Sequence, residues 1–267
     1  MKHLKVTENQ SIVTVALNRP EKRNAFHPDM IAEISTCFAQ LNRDERLRAV
    51  ILTGEGESFC AGGDLAWMKS MADYTLLENI DDAGRLFDMY AAIFECPVPV
   101  IGHVFGHCFG GGAGLVAVCD MVAAESSTQF CFSEVKWGLV PAVISPFVTA
   151  RAKAAFVREW FFTAKVFMAD EAVSGGLVNF SGTRGDIDRY VENLAKSILA
   201  AAPQAVRESK LLQNSYVGYD WPLIRARVTK LIAERRVSDE GQSGLKAFLE
   251  KRQPQWSSPP YGQPPKV

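Results

Sequence analysis

The sequence predicts an α/β protein whose C-terminal part turns helical. Three observations carry that expectation. Over the first half of the chain, short apolar runs of strand length (residues 4–8, 12–17, 49–53, 100–104 and 121–125) alternate with segments whose apolar residues recur at helical spacing. Beyond Pro141 the composition changes to long stretches rich in Ala, Arg and aromatics. Between these parts, Gly106, Gly110, Gly111, Gly112 and Gly114 fall within nine residues, directly after a strand-like run. Adjacent glycines leave backbone N–H groups open to close approach by a ligand.

Taken in order, residues 4–8 and 12–17 read as an antiparallel hairpin turning at Asn9-Gln10, and Asn18-Arg19-Pro20 ends it. Glu21-Lys22-Arg23-Asn24 is a polar loop. Pro28 suits the first turn of a helix, with Met30, Ile31, Ile34, Phe38 and Leu41 along one stripe. Residues 49–53 form a strand, and Gly54-Glu55-Gly56-Glu57 turns the chain. Phe59-Cys60-Ala61-Gly62-Gly63-Asp64 then bares the backbone a second time, with Asp64 placed to cap a following helix. Residues 67–74 are less regular. A helix is expected over 77–94, carrying Ile80, Ala83, Leu86, Tyr90 and Ile93, and Cys96-Pro97-Val98-Pro99 breaks it. The strand 100–104 leads into the glycines. A helix opening at Gly112 would present unpartnered N–H groups of partial positive charge, suited to an anion or a developing oxyanion.

Residues 121–125 and 129–132 read as strands. Residues 148–162 are helical, 169–176 a short helix closed by Gly175-Gly176, and 178–180 a last strand. Four further helices are expected at 187–201, 203–212, 221–236 and 244–251. The pattern divides into a core over 1–200, a helical unit over 201–256 and a proline-rich tail over 257–267 expected to be disordered. No internal sequence repeat is evident.

Composition excludes several classes. The 267 residues carry 29 basic and 30 acidic side chains, so no field of one sign invites nucleic acid or an anionic membrane. No apolar run reaches the roughly 18–20 residues of a membrane span. The opening MKHLKVTENQ lacks a signal peptide's apolar core, so a cytoplasmic protein is expected. Cys37, Cys60, Cys96, Cys108, Cys119 and Cys131 sit among apolar neighbours with no CxxC pair, which favours reduced core thiols over disulfides or zinc. The glycine stretch is not a P-loop, since no Gly-Lys-Ser/Thr follows. It also misses the dinucleotide fingerprint, because Leu115 stands at the third glycine position.

The motifs at Phe59–Leu65 (FCAGGDL), Gly110–Gly112, Cys119-Asp120 and residues 133–141 (SEVKWGLVP) resemble, in order and spacing, those of the enoyl-CoA hydratase/isomerase (crotonase) superfamily over roughly residues 5–256. The resemblance implies a crotonase-like core, a repeated ββα spiral, with a helical C-terminal trimerisation unit, hence a homotrimer or a dimer of trimers. It implies an acyl-CoA thioester as substrate. Coenzyme A is then part of that substrate, and no separate cofactor or metal is expected. It places Lys22 or Arg23 beside the CoA phosphates, and Ala61, Gly62, Gly63, Asp64, Trp67, Gly110, Gly111 and Gly114 around the substrate. It assigns the two oxyanion donors to the N–H groups of Ala61 and Gly111.

The acid/base groups depart from the family pattern. Hydratases with two glutamates carry one in a GGGxE pattern and another twenty residues later. Here those positions hold Gly114 and Glu134. Glu134 is therefore expected to carry the proton step alone, helped by water in the space the other glutamate would fill. His103 reads as a strand residue. His107, in a loop before Gly110, and Lys136, two residues after Glu134, are further candidates for the base and for a partner to a distal substrate carboxylate. Residues 130–148 and the LAWM segment at 65–68 look most like bacterial methylglutaconyl-CoA hydratases. Three functions follow: hydration of a branched, carboxylated enoyl-CoA; enoyl-CoA double-bond isomerisation, which needs only one base; and non-catalytic acyl-CoA binding.

Overall fold

A computed structural model describes residues 1–215, 220–254 and 256. The hairpin forms as expected. β1 (Leu4–Asn9) and β2 (Ile12–Leu17) are antiparallel, and Gln10 and Ser11 take φ of 50° and 66° at the turn. α1 (Pro28–Leu41) follows, then β3 (Ala49–Gly54), parallel to β2. Residues after Trp67 are more regular than the sequence suggests. Asp64 accepts hydrogen bonds from the N–H groups of Ala66 and Trp67 and so caps α2 (Leu65–Met71). α3 (Leu76–Phe94) starts at a capping box between Thr75 and Glu78. β4 (Val100–Val104) leads to β5 (His107–Phe109), a strand the sequence reading treats as loop, and to α4 (Gly111–Val118).

β6 (Met121–Glu125) and β7 (Gln129–Cys131) come next. The expected helix over 148–162 is two, α5 (Ser145–Arg151) and α6 (Ala154–Thr163). The chain is extended at Ala152, and the Lys153 N–H donates to the Gly175 carbonyl. The short β8 (Phe167–Met168) was hidden in sequence by its length, and α7 (Ala169–Ser174) follows it. β9 (Phe180–Gly182) lies two residues beyond the expected start at 178. The chain finishes with α8 (Arg184–Ala200), α9 (Pro203–Ser215), α10 (Trp221–Val237) and α11 (Asp239–Leu249). The expected tail, 257–267, lies outside the described residues.

The strands form a six-stranded sheet in the order β1-β2-β3-β4-β6-β9, parallel except at the hairpin, and a small sheet β5-β7-β8. Single bridges extend the small sheet. Cys60 pairs with Cys108 of β5, and Phe26 pairs with Gly63. Four strands of the large sheet, β2, β3, β4 and β6, therefore feed a short extended piece in a second layer and then a helix or helical turn. β2 leads to Phe26 and α1, β3 to Cys60 and α2, and β4 to β5 and α4. β6 and β7 run into the turn at Glu134. The repeat absent from the sequence is thus present in three dimensions as a ββα spiral, because it is carried by pairing geometry rather than by residue identity.

Period-two alternation splits the large sheet's burial. Val50, Leu52, Val100 and Val122 face the main core with α1, α3 and α4. Ala49, Ile101 and Ala123 face Ile187, Val191 and Ile198 of α8. The C-terminal helices lay their apolar face on the same chain. α10 runs antiparallel along α3, with Trp221 packed on Phe87, Phe94 and Phe147, and with ion pairs Arg225–Asp88 (2.6 Å) and Arg236–Asp82 (2.9 Å). α11 sits on residues 134–138, where Trp137 meets Phe248 at 4.7 Å between ring centroids. Val228, Ile232 and Leu245 are buried by these contacts. All six cysteines are buried with free thiols. No helix of the described residues is long and apolar enough to cross a membrane.

Candidate active site

The spiral brings the two bare backbone segments together. The Cys60–Cys108 bridge sets Ala61, Gly62 and Gly63 beside Gly110 and Gly111, and all five line one cavity of about 170 Å³ with Trp67 and Glu134. Two of the glycines are required by the backbone itself. Gly110 has φ +49°, a backbone angle L side chains rarely adopt. A Cβ on Gly112 would run into the Cys60 carbonyl, so the α4 N-terminus can approach residues 60–62 only without a side chain.

Two residues of this lining have N–H groups with no acceptor among the described residues. Gly111 is the first residue of α4, where no intrahelical acceptor exists. Gly63 is the centre of a parallel bridge, so its neighbours make the pairing: Phe26 N–H donates to Gly62 O, and Asp64 N–H donates to Phe26 O. The N–H of Gly63 itself points away from that strand and takes no acceptor among the described residues. Ala61 is different. Its N–H donates to the Arg23 carbonyl at 3.0 Å, so it is already committed. Ala61 lines the cavity, but its N–H is not available for the expected oxyanion role; the uncommitted N–H of this segment is that of Gly63.

Glu134 opens a 3-10 turn over Glu134–Trp137 that ends at Gly138, φ +69°, tight against the Glu240 carbonyl of α11. Its Oε1 lies 3.5 Å from where a Cβ of Gly110 would stand, and its Oε2 is sealed from solvent with no hydrogen-bond partner. Burial pushes the Glu134 carboxyl up to about 7. An unpaired buried carboxyl oxygen is costly to keep, and a carboxyl with a raised pKa on a cavity wall is a candidate for proton transfer.

The other expected residues divide. Lys22 and Arg23 are exposed, outside the cavity, and carry no ion-pair partner among the described residues. The Arg23 carbonyl ties their loop to Ala61. Trp67 lines the cavity and donates through Nε1 to Asp82 Oδ1 at 3.1 Å. Asp64 is not at the cavity wall. Its Oδ1 caps α2 and its Oδ2 takes Arg19 at 3.0 Å. Burial raises its pKa, but these hydrogen bonds outweigh that and hold it below the usual carboxylate value.

His107 belongs to β5, with Nδ1 3.1 Å from Ser58 Oγ, and does not line the cavity. His103 spans Thr53 and Asp188 on the α8 side. Lys136 is exposed, since the 3-10 turn rotates it off the Glu134 face that an extended segment would have given it.

Gly114 is also corrected. It is buried in α4, away from the cavity, and the space beyond it is not open to water. A Cβ there would run into Ile144 Cγ2 and lie 2.9 Å from Tyr90 Cζ and Oη. Tyr90 fills the volume instead and donates its hydroxyl to the Gly111 carbonyl at 2.7 Å. The sequence shows Tyr90 only as a core position of α3. No local signal could assign it to Gly111, 21 residues away.

A larger groove of about 690 Å³ beside Asp120 and Arg151 is not the site. Its cations are spent on protein: Lys210 on Val98 O and Asp120, and Arg151 on the carbonyls of Leu177 and Cys119.

The family model described as enoyl-CoA hydratase/isomerase matches residues 7–259. The chain belongs to the enoyl-CoA hydratase/isomerase family. It is 35% identical over 224 residues to the mitochondrial Delta(3,5)-Delta(2,4)-dienoyl-CoA isomerase of Homo sapiens, covering 78% of this chain and 67% of that one. It is 31% identical over 212 residues to enoyl-CoA hydratase AKT6-1 of Alternaria alternata, covering 78% and 68%. The crystal structure of an enoyl-CoA hydratase from Shewanella pealeana superposes with a TM-score of 0.78 at 35% identity, covering 95% of this chain and 96% of that one. The fold is therefore crotonase-like and the protein an enzyme of this family, which sets aside the non-catalytic reading.

The hydroxyl of Tyr90 ties α3 to the end of α4 that carries the uncommitted Gly111 N–H. Tyr90→Phe is expected to lower turnover about tenfold, because the Gly111 carbonyl loses the hydroxyl bond that ties the α4 N-terminus to α3 and keeps only its intrahelical one, while costing only about 1 kcal/mol of stability. Steady-state kinetics beside a denaturant melt check this. Unchanged turnover would show that the hydroxyl does not brace the donor.

Proposed function

We propose that the enzyme hydrates an enoyl-CoA thioester, with a branched, carboxylated acyl group such as methylglutaconyl-CoA as the best candidate, and that coenzyme A enters only as part of the substrate. The observation carrying this reading is Glu134, a single carboxyl with an unpaired oxygen beside two uncommitted N–H groups. The likeness of residues 130–148 to methylglutaconyl-CoA hydratases supports the finer choice. Lys22 and Arg23 stand free at the surface, available to CoA phosphates.

In this reading the thioester oxygen sits between the N–H groups of Gly63 and Gly111. Ionised Glu134 takes a proton from a water whose oxygen adds to the β-carbon. The electron pair of the double bond moves to the thioester oxygen, where the two donors stabilise the enolate. Protonated Glu134 then delivers that proton to the α-carbon, which restores both the thioester and the carboxylate. One water is consumed, and one carboxyl group serves as base and then acid.

Because the cycle starts from the carboxylate, the pH profile follows its raised pKa. The logarithm of kcat/KM is expected to rise with unit slope on the acid side and level off above about 7. A limb in the ordinary carboxylate range would count against Glu134 as the base.

The second reading, double-bond isomerisation, has its own support in the lack of room for a second carboxylate at Gly114 and in the dienoyl-CoA isomerase relatives. There Glu134 would take a proton from the α-carbon of a 3-enoyl-CoA and return it to the γ-carbon. Methylglutaconyl-CoA, crotonyl-CoA and a 3-enoyl-CoA, each followed by mass and by absorbance of the conjugated thioester, separate the two. Hydration adds the mass of water, whereas isomerisation leaves mass unchanged and creates the conjugated chromophore.

We also propose a homotrimer or dimer of trimers. Leu211 and Leu212 of α9 and Leu223 and Leu231 of α10 remain exposed after the chain has packed on itself. Light scattering should give three or six subunits, and a monomer at micromolar concentration would refute the assembly.

A further inference from the structure

The cavity wall holds two charged side chains among the described residues, Glu134 and Arg236. Around Arg236 the wall is apolar: Trp67, Met71, Leu86, Ile232, Leu245 and Phe248. A guanidinium in such a place is costly unless it is paired. Arg236 is 8% exposed and is only partly paired. Its Nη1 donates to Asp82 Oδ2 at 2.9 Å and to Asn79 Oδ1 at 3.4 Å. Asp82 in turn uses its other oxygen for Trp67 Nε1. The remaining edge of the guanidinium, Nε and Nη2, takes no acceptor among the described residues, and neither atom is among those sealed from solvent without a partner. A planar fork with one edge anchored and the other open matches a carboxylate, which accepts two parallel N–H bonds.

The position sets where that carboxylate must be. Asp82 and Tyr90 lie eight residues apart on α3, about 12 Å along the helix, and Tyr90 rests on the Gly111 carbonyl. The thioester seat and the Arg236 fork are therefore at opposite ends of one cavity, separated by several carbon atoms of acyl chain.

We infer that Arg236 is a specificity-determining residue whose open Nε–Nη2 edge binds a second carboxylate at the far end of the acyl chain, so that the enzyme prefers CoA thioesters of dicarboxylic acids. This rests on the acyl-CoA reading above and supplies the residue that would read the distal group. Lys136, which the sequence offered for that task, points to solvent.

The test is a binding measurement that does not need turnover. Calorimetric titration compares glutaryl-, adipoyl- and suberoyl-CoA with valeryl-, hexanoyl- and octanoyl-CoA. At least one diacid thioester should bind about ten- to a hundredfold tighter than its methyl-ended counterpart, the range of a buried charge-assisted pair. Arg236→Met should erase that preference while leaving affinity for the methyl-ended series within about threefold. Because that variant strands the Asp82 carboxylate, the double variant Asp82→Asn with Arg236→Met is measured in parallel and should behave alike.

Equal affinity for both series in the unaltered enzyme, or a preference that survives in the double variant, would overturn the inference. A loss of affinity for both series together would show that Arg236 only ties α10 to α3. Failure of the hydration reading appears separately, as absence of turnover with the binding preference intact.

Discussion

Glu134→Gln is expected to lower turnover by several orders of magnitude while leaving CoA-ester affinity within about tenfold. Loss of a general acid/base typically costs 10²–10⁴, and among the described residues no second carboxyl, imidazole, thiol, phenol or amine lines the cavity to compensate; the Arg236 guanidinium stays protonated and cannot act as a base. The amide keeps the shape of the side chain and can occupy the same pocket, so binding through Gly63, Gly111 and the apolar wall persists.

The same substitution should change stability in a direction a merely damaged protein would not show. The fold raises the Glu134 pKa from 4.5 to about 7 by burial, so it favours the neutral form. That contribution is fully present below 4.5 and is lost as pH rises through about 7, since the folded state then holds an ionised buried carboxyl. Glu134→Gln removes this cost, so its melting temperature should exceed that of the unaltered enzyme at pH 8, and the gap should close toward pH 4. Retention of more than a few per cent of activity would place the base elsewhere. A variant less stable at pH 8 would contradict the burial argument.

Gly114→Glu, which formally restores the two-glutamate pattern, is expected to ruin the protein rather than improve it. The Cβ alone collides with Ile144 Cγ2 and crowds Tyr90, both buried, and the carboxylate would be driven into that packed core. Overpacking costs about 1–3 kcal/mol, and an unpaired buried charge adds several more. The expected result is a fall in melting temperature of more than about 10 °C or outright insolubility, read by thermal denaturation. A soluble variant with native melting behaviour would show that the volume next to Gly114 is open after all, and the water-filled space inferred from sequence would stand.

These two positions show what each level of description decides. Chain chemistry alone marks Glu134, because it is one carboxylate amid Phe130, Phe132, Val135 and Trp137, and burial of such a group shifts its pKa whatever the details of the fold. The glycine cradle is legible for the same reason: residues without side chains can serve only where backbone comes close. Most of the longer helices and the large sheet are readable too, since their apolar periods are local. The short strands β5 and β8 escape, because two or three residues carry no period and exist only through pairing with β7.

The tertiary structure alone decides which N–H is available. Ala61 and Gly63 are two residues apart in one motif. The choice between them depends on the Arg23 carbonyl and the Phe26 bridge, contacts made from more than thirty residues away. It likewise fills the space beside Gly114 with Tyr90, turns Lys136 outward through a 3-10 turn, and carries Arg236 from the C-terminal helix to the cavity wall. Hydrogen-bond commitment and volume are properties of pairs distant in sequence, so they become definite only when the spiral closes.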